Sequence, residues 1–75
     1  MLDYRVDGYK IRTLREAQEI SVTQFAKKIG ITEAAMSNIE RNIKAPSAVT
    51  LKRISVRLDV TIDDLIKSEV YHNGD

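Results

Sequence analysis

Cysteine is absent from this 75-residue chain. That excludes a disulfide framework, a thiolate metal site and a cysteine nucleophile. Histidine occurs once, at His72, with no second ligand or proton-relay partner in view. No glycine-rich phosphate loop is present, nor a pair of carboxylates at facing inner positions, so the residues offer no enzymatic centre. So short a chain also leaves little room for a substrate pocket. No apolar run approaches the roughly 18 residues of a membrane span. The opening MLDYRVDG is acidic where a signal peptide would be basic. These absences predict a soluble, cytoplasmic domain that needs no metal or cofactor, crosses no membrane and is held by packing alone.

Net charge is only +1, which by itself gives little attraction for nucleic acid. Its distribution is uneven. Residues 9–58 carry ten Lys and Arg against four Glu, a net of +6, whereas residues 59–75 carry one Lys against five Asp and Glu, a net of −4. Phosphate attraction acts within a Debye length, so a basic body with an acidic end is the relevant pattern.

What is present is helical periodicity. In the stretch VTQFAKKIGITEAAMSNIER, residues 22–41, Phe25 and Ile29 point inward from one short helix and Met36 and Ile39 from the next. Ala26 is small where the two would cross, and Gly30 can take the positive φ that the turn requires. Around this unit the chain predicts helix 1 over residues 9–18 and helix 2 over 22–29, the latter capped by Ser21 with Gln24 completing a capping box. Helix 3 follows over 33–41, capped by Thr32, and Pro46 closes the loop after it. Helix 4 runs from the Ser47 cap to near Asp59. Thr61 caps a short helix 5 whose apolar face is Ile62, Leu65 and Ile66. Leu2, Tyr4 and Val6 alternate as an edge strand would, but a frayed arm over residues 1–8 is the preferred reading. The whole is an all-α, compact five-helix domain over residues 9–68, followed by an acidic, flexible tail over 69–75.

The motifs Ile11-Arg12-Thr13-Leu14-Arg15-Glu16, Phe25-Ala26-Lys27-Lys28-Ile29-Gly30, Met36-Ser37-Asn38-Ile39-Glu40-Arg41, Pro46-Ser47 and Leu58-Asp59-Val60-Thr61 stand in one order without a gap. In them the chain resembles the helix-turn-helix domain of lambdoid phage repressors and Cro proteins, the XRE-type family, from Ile11 to Ile66. The resemblance implies a lambda-repressor-like domain that binds a double-stranded DNA operator as a homodimer, as phage repressors and restriction–modification controllers do. It also implies that Arg15 and Glu40 pair to tie helix 1 to helix 3. Two positions depart from the family pattern. Val22 stands where a phosphate-touching Gln is common, and Asn42 replaces a Gly, a mild change because Asn tolerates the left-handed region.

With helix 3 in a major groove, its outward N-terminal residues Thr32, Glu33, Ala34, Ser37 and Asn38 reach base edges. Asn suits adenine N6 and N7, Glu accepts from cytosine N4, and an Ala methyl packs on thymine. Thr23, Lys27, Arg41, Asn42, Lys44 and Ser47 are the expected DNA-backbone contacts. Leu65, Ile66, Val70 and Tyr71 are the apolar residues available for a two-fold interface. The alternative is an antitoxin or other module that holds a protein partner through its acidic C-terminal segment.

Overall fold

Each of the four α-helices begins at a short polar side chain that accepts from a backbone amide left over in the first turn. Asp7 starts α1 (Gly8–Ala17), Ser21 starts α2 (Val22–Ile29), Thr32 starts α3 (Glu33–Glu40) and Ser47 starts α4 (Ala48–Leu58). Such caps satisfy one of the four orphan N–H groups of a helix end. At Ser21 the box is reciprocal: its Oγ accepts from the Gln24 amide at 3.1 Å and Gln24 Oε1 accepts from the Ser21 amide at 3.2 Å. The structure, a computed structural model, describes residues 2–70, with side chains over residues 5–67.

Helix ends are equally regular. Glu19, Gly30, Asn42 and Asp59 follow the four helices in the left-handed region, with φ of 59°, 90°, 61° and 61°. After α1, α3 and α4 the left-handed residue and the one after it both donate back into the last turn, the second of them as Ile20 to Arg15 O, Ile43 to Asn38 O and Val60 to Ser55 O.

The core joins all four helices through Ile11, Phe25, Ala26, Ile29, Met36, Ile39, Ile54 and Leu58, and is completed by Leu65. Leu65 is fully buried, which corrects its assignment to a dimer interface: burying it in its own domain removes it from any partner. Ile66 is half-buried, and Tyr71 lies outside the described residues.

Two sequence expectations differ from the structure. Among the described residues there are four α-helices, not five. Thr61 Oγ1 does cap, accepting from the Asp64 amide at 3.1 Å, and Asp64 Oδ2 accepts in return from the Thr61 amide at 3.0 Å, but only a single 3-10 turn follows, Asp63–Leu65. Ile66 then adopts extended backbone, φ −106° and ψ 131°, and the chain becomes a strand. That strand, β2 (Ile66–Val70), pairs antiparallel with β1 (Leu2–Val6), with Val6 opposite Ile66, Arg5 opposite Lys67 and Leu2 opposite Val70. The first residues are thus an edge of a two-stranded ribbon, not a frayed arm. Asp7 N–H donating to Leu65 O at 2.7 Å anchors the ribbon to the helical body.

Candidate nucleic-acid interface

Helix α3 is fixed at both ends while its outer side stays open. At its start, Gly30 turns the chain and both the Gly30 and Ile31 amides donate to Ala26 O, at 2.8 and 3.0 Å. Thr32 Oγ1 then accepts from the Ala35 amide at 3.0 Å. Thr23 on α2 donates its hydroxyl to Glu33 Oε1 at 2.7 Å, tying the two helices of the motif together across their polar surface.

At the other end, Arg15 on α1 holds Glu40 with two nearly parallel bonds, Nε to Oε2 at 2.7 Å and Nη2 to Oε1 at 3.0 Å. A third Arg15 donor reaches Ile20 O at 2.6 Å. Both residues are buried, at 7% and 4% exposure. The fork geometry is what a guanidinium offers and an ammonium does not. The hydrogen bond to Glu40 raises the Arg15 pKa from its already high ordinary value, against the opposing effect of burial.

A second tie at the same end involves Gly8 and Asn42. Asn42 Oδ1 accepts from the Gly8 amide at 2.9 Å. A Cβ at Gly8 would be driven into the backbone carbonyl oxygens of Ile39 and Glu40, so α1 starts directly against the last turn of α3. Only glycine permits that approach. Behind α2, Arg53 donates to Ile29 O at 3.3 Å, covering a carbonyl that ends the helix.

The sequence-predicted site residues fall on this frame as follows. Thr32, Glu33 and Ala34 are exposed on the first turn of α3, and Ser37 and Asn38 are half-buried one turn on. Asn38 contributes its carbonyl to two loop amides, Ile43 at 2.9 Å and Lys44 at 3.2 Å, while its side-chain amide has no partner among the described residues. Lys27, Arg41 and Lys44 are exposed. Ser47 Oγ is engaged locally, accepting from the Thr50 amide and lying 3.0 Å from Thr50 Oγ1. For a phosphate it therefore has mainly the free amides of the first turn of α4 to offer. Asn42 has committed its carbonyl oxygen to Gly8 and retains its Nδ2 donors.

Thr23 and Glu33 were assigned separate tasks from the sequence, one a phosphate contact and one a base contact. Their hydrogen bond changes this. A phosphate can only accept, and the Thr23 proton is already given to Glu33. Sequence reasoning missed this link, as it missed the Gly8–Asn42 tie. The available signals were a glycine directly after a helix-capping Asp and an Asn in place of a helix-ending Gly.

Compared with known proteins, residues 11–65 match the family model described as helix-turn-helix. The chain is 33% identical over 70 residues to the transcriptional regulator SinR of Bacillus subtilis, covering 89% of this chain and 63% of SinR. It is 30% identical over 70 residues to the ImmF control region 10 kDa protein of Bacillus phage phi105, covering 93% of this chain and 78% of that protein. Among solved structures it is similar to the P22 c2 repressor in complex with a synthetic operator, with a TM-score of 0.79 and 28% identity over 84% of this chain and 96% of that one. It is also similar to SinR in complex with DNA, with a TM-score of 0.71 and 34% identity over 77% of this chain and 94% of that one. The chain spans less than two thirds of the length of full SinR.

Proposed function

The chain belongs to the helix-turn-helix family of XRE type, and on that premise we propose that it is a sequence-specific DNA-binding transcriptional regulator of the repressor or controller kind. It binds a palindromic double-stranded operator as a homodimer, in the cytoplasm, with α3 in the major groove. The observation that carries this reading is the contrast on α3 itself. Met36, Ile39 and Glu40 are sealed against the domain, while Thr32, Glu33 and Ala34 stand exposed on the same helix. A rigid helix with a bare polar N-terminal side is what groove reading requires. Ser37 and Asn38 continue that side, and Lys27, Arg41, Asn42, Lys44 and the start of α4 at Ser47 flank it as backbone contacts. Thr23 acts through Glu33, holding the carboxylate in place. With Leu65 excluded, the second copy meets the first through Ile66, Val70 and Tyr71.

The relatives act as regulators on DNA by their names, so an antitoxin-like module holding a protein through its acidic segment is not favoured. Selection of binders from random duplex DNA, followed by sequencing, tests the reading. Enrichment of an inverted repeat with half-sites about 10 base pairs apart is expected. Enrichment of no sequence would remove sequence reading from the protein.

A further inference from the structure

The outer face of α4 is basic and carries nothing to offset its charge. The 11 residues Ala48–Leu58 hold Lys52, Arg53 and Arg57 and no carboxylate. Arg53 and Arg57 stand one turn apart, a spacing at which like charges destabilise a helix. On α1 an arginine is matched within its own helix, where Arg12 meets Glu16 at 3.2 Å. On α4 the last turn of α2 instead adds a further cation. An open groove of about 430 Å³ runs between the two helices, lined by Lys28, Ile29, Lys52, Arg53, Val56 and Arg57. Arg53 gives one donor to Ile29 O, and none of the four cations has an ion-pair partner among the described residues.

The groove is also apolar in part. Val56 is 66% exposed within it, and Val49, two turns earlier on the same face of α4, is 61% exposed. A phosphate would match the cations and leave both valines in water. Arg57 stands roughly 15 Å along the helix axis from Ser47, where α4 begins beside the expected DNA contacts. Carboxylates accompanied by an apolar side chain complement this surface better than a DNA strand does.

The chain itself presents such a surface. Asp59 ends α4 in the left-handed region, at the pole where the macrodipole disfavours a carboxylate. Asp63 is exposed one turn further on, with half-buried Ile62 beside it. Asp64 is engaged by Thr61, but the carboxylates of Asp59 and Asp63 have no partner among the described residues. Neither lines the α2–α4 groove, so a chain does not neutralise its own cations there.

We propose that the α2–α4 groove docks the Asp59–Asp63 corner of a second copy of this chain. The carboxylates meet Lys28, Lys52 and Arg57, and Ile62 covers Val56. The contact is head-to-tail, so it does not close and joins copies in a row. It uses neither α3 nor the apolar residues assigned above to the two-fold contact. Joined copies therefore keep their DNA-reading side, and binding at neighbouring sites strengthens the contact by raising the effective concentration. That last consequence rests on the DNA-binding reading, whereas the contact itself does not.

The test is sedimentation equilibrium of the full chain from ~20 μM to ~1 mM, at ~50 mM and ~0.5 M salt. Circular dichroism checks that each variant keeps its helix content. At low salt the mass of the unmodified chain should climb with concentration past two copies, because an open contact has no end point, and high salt should reverse this. Arg57→Glu and Asp63→Lys should each weaken the association by on the order of tenfold, since each sets like charges together. The double variant, with the charges exchanged, should regain it. A mass that stops at two copies overturns the proposal, as does growth unaffected by Arg57→Glu or a double variant no better than the singles. On a random-sequence duplex of about 30 base pairs, Arg57→Gln should leave the salt slope unchanged. A slope lower by about one unit would give the groove to DNA phosphates and overturn the proposal. No DNA binding by the unmodified chain would overturn the DNA-binding reading, a result independent of the association.

Discussion

Arg15 and Glu40, 25 residues apart in sequence, meet as a two-point ion pair that water barely reaches, with side-chain exposures of 9% and 5%. Desolvating two charges offsets much of their attraction, so the pair need not add net stability over apolar residues of the same size. What it fixes is the angle at which α3 leaves α1. Glu40→Ala leaves a buried guanidinium unmatched and should cost about 3–5 kcal/mol. The double replacement Arg15→Met with Glu40→Leu should recover most of that loss. Urea unfolding of Arg15→Met, Glu40→Leu and the double gives the coupling directly, and additive losses would show that the two residues do not act as a pair.

The two left-handed residues Glu19 and Asn42 should respond to glycine with opposite signs. Both sit at φ near 60°, where a Cβ is unfavourable. Glu19 is exposed with no side-chain partner among the described residues, so Glu19→Gly should stabilise by about 0.5–1 kcal/mol. Asn42→Gly relieves the same backbone but strips the Gly8 amide of its acceptor, a loss of about 1–3 kcal/mol. Thermal unfolding should move up by a few degrees in the first and down in the second. Two shifts of the same sign would discount the Gly8–Asn42 bond.

Gly8→Ala should be worse than any ordinary helix substitution, although alanine is the better helix former. The added methyl meets the Ile39 and Glu40 carbonyls, which are backbone and cannot swing aside. We expect a loss of about 1–3 kcal/mol, readable as a lower midpoint in urea. A gain in stability would mean that α1 and α3 do not approach at this point.

Thr23→Val should act on specificity. If Thr23 holds Glu33 rather than a phosphate, its loss should weaken selected sites at the base pair read by Glu33. Binding to random duplex and its salt slope should be unaffected. A slope reduced by about one unit would instead return Thr23 to the phosphate contacts.

Asp64 gives a pH signature. Its carboxylate accepts from the Thr61 amide first, and bonds with the Thr61 side chain second, and these hold its pKa below the ordinary 3.8. A folded value below the unfolded one contributes stability that is complete above about 3.8 and disappears as pH falls through the folded value. Stability of the unmodified chain should therefore fall more steeply below about pH 4 than that of Asp64→Asn. Parallel curves would show that the Thr61–Asp64 box is not formed in solution.

The helical part of the fold was legible because its signals are local. The Ser21 box, the Thr32 and Ser47 caps, Gly30 and the inward spacing of Phe25, Ile29, Met36 and Ile39 all lie within a few residues of what they organise. The ribbon was not, because β1 has its partner some sixty positions away and five residues of alternation carry little information alone. Ile66, Ser68 and Val70 alternate too, but Ile66 also fits the apolar face of a fifth helix, and short apolar runs read either way. At the interface, exposure of Thr32, Glu33 and Ala34 follows from periodicity. The Thr23–Glu33 bond does not, since it depends on how two helices cross.

The role of α3 as the DNA-reading element is tested most directly by Asn38→Ala, measured on a selected operator and on a random duplex at the same salt. A DNA-reading α3 predicts a loss of roughly 1–3 kcal/mol on the operator and almost none on the random duplex, so that the ratio between the two collapses. Equal losses on both, or none on either, would contradict it.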